Sequence, residues 1–198
     1  MKNIDIASIL KPDAPKIFLK KGRILIAEPL TSGLYFSRAV ILITAHDVEE
    51  TIGLVLNKTS EINPKELVDE IENFNGILYI GGPCEPNSLH FLHTIGAKIP
   101  GAEQITDTVY YGGDFEVLLN MIQNGKANSN NVKFFAGYTG WAANQINSEL
   151  EQCSWVVSTL NDEKIMQKDI NNSWHETVAE LGVLYKTWTN IPLHPLFN

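Results

Sequence analysis

The sequence predicts an α+β domain with a mixed, largely antiparallel sheet and flanking helices, and three observations carry that expectation. Short runs of β-branched and aliphatic residues recur from Arg23 onward, and two of them are joined by a brief polar connection that suits an antiparallel hairpin. Capped amphipathic segments interrupt the runs. Hydrophobic residues make up 44% of the 198 and charged residues 19%, the balance of a globular chain able to bury one sizeable core.

Residues 1–22 read as an appendage. Ile6, Ile9 and Leu10 have helical spacing, and Pro12 and Pro15 then stop a helix. A single domain follows over 23–198. Its first strands are Arg23 to Ala27, Arg38 to Ala45 and Thr51 to Asn57, with His46-Asp47-Val48-Glu49-Glu50 as the hairpin connection. Asn63-Pro64-Lys65-Glu66 marks a helix start, since Asn63 can cap, proline suits the first helical position and Glu66 can reach back. Leu67, Val68, Ile71 and Phe74 continue one face of that expected helix.

Ile77 to Ile80 reads as a strand ending at Gly81-Gly82-Pro83, and Ser88 to Ile95 and Thr108 to Tyr111 as two more. Asp114 caps a helix with Phe115, Leu118, Leu119 and Ile122 at i, i+3, i+4 and i+7, stopped by Gly125. Val132 to Tyr138 alternates, which puts Val132, Phe134, Ala136 and Tyr138 on one face. It is expected to turn at Thr139-Gly140 into a helix bearing Trp141, Ala142, Ile146 and Leu150. Trp155 to Val157 is a last strand, Ser173-Trp174-His175-Glu176 a capping box for a helix ending at Gly182, and the Pro192 and Pro195 tail irregular.

Several functions are disfavoured from the start. The longest strictly apolar run, Ala39 to Ile43, falls far short of the ~20 residues of a spanning helix, and Asp5, Ser8 and Lys11 break up any signal-peptide core, so a cytoplasmic protein is expected. Two cysteines, Cys84 and Cys153, fit reduced thiols. A net charge of −8 and only two arginines, Arg23 and Arg38, weigh against direct nucleic-acid binding. The charge is uneven, with five lysines against two aspartates in residues 1–22 giving a basic arm of +3.

No combination of residues makes a reactive set. His90 and His93 have a metal-ligand spacing on a helix, but in a strand i and i+3 face opposite ways, so no metal is expected. His46-Asp47 lacks the further His and Asp of a phosphohydrolase site. Cys84, in a turn near Glu85 and His90, is either a nucleophile beside a base or a small residue in a tight turn. Gly112-Gly113 resembles a phosphate cradle, and Asp114 already occupies its amides. Gly137, Thr139, Gly140 and Trp141, with Tyr138 between them, make the best candidate for a small anionic or planar ligand, through amides at a helix start, the Thr139 hydroxyl and two aromatic faces. A close crossing that only glycine tolerates explains the same glycines. Arg38 joins the candidate ligand-binding set as a guanidinium for an anion or a partner's carboxylate, with a strand-entry salt bridge as the alternative. Asn57 reads as a turn former.

Six segments in order carry a resemblance: Gly22 to Ala27, Phe36 to Val40, Gly53 to Asn57, Tyr79 to Pro83, Leu89 to His93 and Phe135 to Trp141. Together they resemble the AlgH/YqgE family of bacterial proteins over about residues 22 to 198. The resemblance implies an α+β fold on a mixed, partly barrel-like sheet, a label of proposed transcriptional regulator, and no catalytic set or cofactor. Ala142-Ala143-Asn144 departs from the glycine that tends to follow the tryptophan in that family. The expected function is therefore a non-enzymatic regulatory or binding protein with a protein partner or small ligand. The alternative is an enzyme or small-anion-binding protein with a site near Thr139-Gly140 and Cys84.

Overall fold

Among the described residues nine strands assemble into one sheet, whose central member, an eleven-residue strand late in the chain, is gripped on both edges. The structure, a computed structural model, describes residues 17–72 and 74–192; the expected helix near Ile6 and the Pro195 tail lie outside them. The strands are β1 (Ile24–Ala27), β2 (Val40–His46), β3 (Glu50–Val55), β4 (Leu78–Ile80), β5 (Cys84–His93), β6 (Glu103–Gln104), β7 (Tyr110–Tyr111), β8 (Val132–Ala142) and β9 (Trp155–Ser158). The order is β6-β7-β5-β8-β3-β2-β1-β9, with β4 also paired to β8. All pairings are antiparallel except β4 with β8. The sheet is mixed as expected. It is open rather than closed into a barrel, with β6 and β9 at its two ends.

The β2–β3 hairpin forms as its polar connection predicts, because Asp47 Oδ1 accepts from the amides of Glu49 and Glu50 and folds the turn. Helix α1 (Phe115–Gln123) is the capped helix expected after Asp114, whose carboxylate accepts from Val117 N at 3.1 Å, and it buries Leu118, Leu119 and Ile122. The other α-helices among the described residues are α2 (Gln145–Glu151), α3 (Asp162–Met166) and α4 (Ser173–Glu180). Helix α3, capped by Asn161, has only five residues and is too short to show a period in the sequence.

Three expectations need correction. Asn63 and Glu66 do form a capping box, but the chain makes only the 3-10 turns Pro64–Glu66 and Asp69–Ile71. Leu67 stays half-exposed while Ile71 and Phe74 turn into the core, so packing overrode the local helix signal. Second, α4 is capped at Asn172 without a side-chain bond, and Ser173 Oγ donates back to the Ile170 carbonyl instead of making a box with Glu176. Third, β8 does not end at Tyr138. It runs on through Thr139, Gly140 and Trp141, paired with Gly53, Ile52 and Thr51 of β3, and the helix begins only at Gln145.

A bulge explains the third difference. Gly137 has φ +65, and β8 changes partner around it: Leu78, Tyr79 and Ile80 pair with Phe134, Phe135 and Ala136, and β3 takes over at Thr139. The alternation slips there. Val132, Phe134 and Ala136 pack with α1 in one cluster, whereas Tyr138 packs with Phe135 in the other. The apolar interior therefore lies on both faces of the sheet: α3 and α4 cover the Ile24, Leu42 and Phe135 side, α1 covers the Phe91 and Phe134 patch, and α2 covers a third patch around Ile41, Trp141 and Trp155.

Candidate functional site

Two groups of polar side chains stand out, and no contact joins them. The first surrounds Arg38, at the entry to β2. Its backbone lies in the left-handed region, φ +51, where a side chain is strained. Asn57 holds it there, with Nδ2 donating to the Arg38 carbonyl at 2.8 Å and Oδ1 accepting from Val40 N at 2.9 Å. Asn57 thus extends the β2 ladder with its side chain, a role that its position after an apolar strand did not reveal.

The Arg38 guanidinium lies over the Trp174 ring, 5.0 Å from its centroid, and donates to His175 Nε2 at 3.1 Å and to the Ile191 carbonyl. Since Arg38 can only donate, His175 must accept and is neutral. Burial, and then the Arg38 charge, hold the His175 pKa below its ordinary value. Among the described residues Arg38 Nε is buried and has no hydrogen-bond partner. Lys58, just beyond β3, donates to the Ser37 carbonyl at 2.7 Å, and burial followed by Arg38 lowers its pKa. Among the described residues the ion pairs are Lys21–Glu103 and Lys164–Glu180, so neither Arg38 nor Lys58 meets a carboxylate. The strand-entry salt bridge that the sequence allowed for Arg38 is not made there.

The second group lies where β5, β7 and β8 adjoin. His90 Nδ1 and Tyr111 Oη are 2.7 Å apart, His90 Nε2 and Ser88 Oγ are 2.7 Å apart, and Ser88 Oγ donates to the Glu85 carbonyl at 2.8 Å. The network fixes the protons: Tyr111 donates to Nδ1, Nε2–H donates to Ser88, and Ser88 spends its own proton on Glu85. An imidazole that donates to a hydroxyl cannot deprotonate it, so Ser88 is not activated in this arrangement. Cys84 pairs with Tyr138 across the ladder and makes no hydrogen bond to His90. His93, the residue expected to point away from His90, is fully buried on its own, with Nε2 3.1 Å from the Gly112 carbonyl and Nδ1 accepting from Ile95 N.

The candidate cradle at Gly137, Thr139, Gly140 and Trp141 has a different structure from the one that suggested it. These residues are strand, so no helix start gathers their amides. Gly137 is required by a close approach, because a Cβ there would sit 2.7 Å from the Cys84 carbonyl oxygen and 2.8 Å from that of Gly82. Thr139 is buried, and the Trp141 indole donates to Glu149 Oε2, which also accepts from Trp155. Arg38 is not brought to them. A recess of about 470 Å³ opens at the next residue, lined by His46, Asp47, Glu50, Thr51, Ala142 and Asn144. With two carboxylates and no lysine or arginine it does not suit an anion.

One buried cation escaped the sequence reading. Lys133, on the face of β8 left over by the alternation, is only 2% exposed. It donates to the carbonyls of Ile165 and Gln167 at the end of α3 and lies 4.1 Å from the Tyr79 ring centroid. Burial pushes its pKa down to about 7. A lone lysine in Val-Lys-Phe-Phe-Ala was the available signal. Among the described residues no group of three or more His, Cys, Asp or Glu could hold a metal, and no helix is long and apolar enough to cross a membrane.

Comparison with known proteins agrees with this framework. A UPF0301 protein from Parabacteroides distasonis is 41% identical over 180 residues, covering 90% of this chain and 91% of that protein. One from Bacteroides thetaiotaomicron is 35% identical over 197 residues, covering 99% and 100%. A Corynebacterium diphtheriae crystal structure matches with TM-score 0.77 at 21% identity over 88% of this chain and 94% of that one. The solution structure of AlgH from Pseudomonas aeruginosa, also UPF0301, matches with TM-score 0.68 at 22% identity over 82% and 88%, a likeness of fold. The DUF179 model, described as AlgH-like, matches residues 24–186, from the first residue of β1 to beyond α4, and the chain therefore belongs to the AlgH-like family.

Proposed function

We propose that the protein is a non-enzymatic binding protein that acts in regulation, through a protein partner or a small ligand, in the cytoplasm. The observation that supports this is the closed hydrogen-bond chain at Tyr111, His90, Ser88 and the Glu85 carbonyl. It uses up the His90 imidazole and the Ser88 hydroxyl, a pair that could otherwise have formed a nucleophile. Cys84 and Cys153 are both free thiols, which suits a reducing compartment. Among the described residues two arginine donors are buried without a partner, Arg23 Nε and Arg38 Nε, and only the second has a further cation, Lys58, donating to the carbonyl of the residue before it.

Reactivity decides between this and the enzyme alternative. A fluorophosphonate and a thiol-alkylating probe should modify Ser88 and Cys84 no faster than the same residues in a denatured chain. Rapid labelling of either one, abolished by His90→Asn, would place a working nucleophile in the second polar group and end the non-enzymatic reading. A thermal-shift screen of small carboxylates, phosphates and nucleotides is expected to return stabilising compounds.

A further inference from the structure

We propose that Arg38 and Lys58 form an anion site that takes a phosphate group; it rests on the binding-protein reading and gives it a ligand class. Four features of the corner converge. Two cations are placed near each other, each partly desolvated, and the hydrogen bonds they make go to neutral acceptors only: a carbonyl for Lys58, and a carbonyl and a neutral imidazole for Arg38. Mutual repulsion is thereby left uncompensated among the described residues, which an anion would relieve. Arg38 Nε, buried and without a hydrogen-bond partner among the described residues, is a donor left over.

The third feature is rigidity. The guanidinium lies over the Trp174 ring and Asn57 clamps the backbone, so little side-chain freedom remains to be lost on binding. The fourth is strain. Position 38 has a φ of +51 that glycine or asparagine would adopt at less cost, yet it carries an arginine. A guanidinium with Nε left over, next to a point-charge ammonium, suits a dianionic, tetrahedral phosphate. The site requires nothing from Ser88, His90 or Cys84.

Calorimetric titration of the full chain with inorganic phosphate and with phenyl phosphate tests this, with ionic strength held constant by chloride. One equivalent of saturable binding is expected. Lys58→Met and Arg38→Gln should each weaken it about tenfold or more, as loss of a charge-assisted contact does, whereas His90→Asn should leave it unchanged. Binding of both compounds would point to a phosphomonoester ligand, and binding of inorganic phosphate alone to the free ion; either supports the site. Phosphate that binds no better than chloride, or equally well to folded Lys58→Met protein, would overturn it. Lys58→Met keeps the test valid should the strained Arg38 position fail to fold when changed. Failure here leaves the non-enzymatic reading standing, since that is decided by probe labelling at Ser88 and Cys84.

Discussion

His93 shows how a single buried side chain sets a response to acid. Its Nε2–H donates to Gly112 and its Nδ1 accepts from Ile95, so a second proton would both lose a bond and face an amide hydrogen. Burial keeps its pKa below 6.5, with the Gly112 bond working the other way. Between the folded value and 6.5 the unfolded chain binds more protons, so this stability is complete above pH 6.5 and lost as pH falls. NMR should find the His93 ring as the neutral Nε2–H form at pH 6.5, and the urea midpoint should decline below it. Lys133 acts in an alkaline window. Its folded pKa of about 7 lies below the ordinary 10.5, so stability climbs as pH rises from 7 toward 10.5, by up to roughly 1.4 kcal/mol per unit. Lys133→Met should abolish that slope in urea titrations kept below pH 10. Above pH 10 Tyr79, pushed up to about 12, works in the opposite direction.

At the scale of elements, a cap and a bulge make separate contributions. Asp114→Ala removes the bond to Val117 N at the start of α1 and should cost about 1 kcal/mol in chemical denaturation, with the fold kept. Gly137→Ala should be far worse. Strain at φ +65 and a Cβ forced to 2.7 Å from a backbone oxygen together should cost about 3 kcal/mol or leave no soluble protein. A loss below about 1 kcal/mol would mean that the bulge can relax. The difference follows from burial: the cap is at a helix end open to water, while Gly137 is wedged against Gly82, Cys84 and Pro86.

For the whole molecule, β8 is the member on which the rest is assembled, since β3, β4 and β5 all pair with it. Its Phe134 and Phe135 are fully buried on opposite faces, in different apolar clusters. Their amides should exchange with solvent only through global unfolding, and those of the terminal strands β6 and β9 much sooner, as mass-spectrometric hydrogen exchange would show. Equal protection across all nine strands would contradict that arrangement.

The sequence by itself determined the α+β class, the β2–β3 hairpin, the strand around Leu78 and helix α1, because each depends on periodicity and capping within about a dozen neighbouring residues. It also singled out Arg38 and the glycines at 81, 82 and 137. What only the tertiary structure decided was what those residues face. The segment capped at Asn63 made two short 3-10 turns and no α-helix because Ile71 and Phe74 had to reach the core, and one bulge at Gly137 exchanged the faces of everything after it. The partners of Arg38, namely Asn57, Trp174 and His175, are separated from it by up to 137 residues. No local pattern encodes such a meeting, since it exists only once β2 and α4 have packed together.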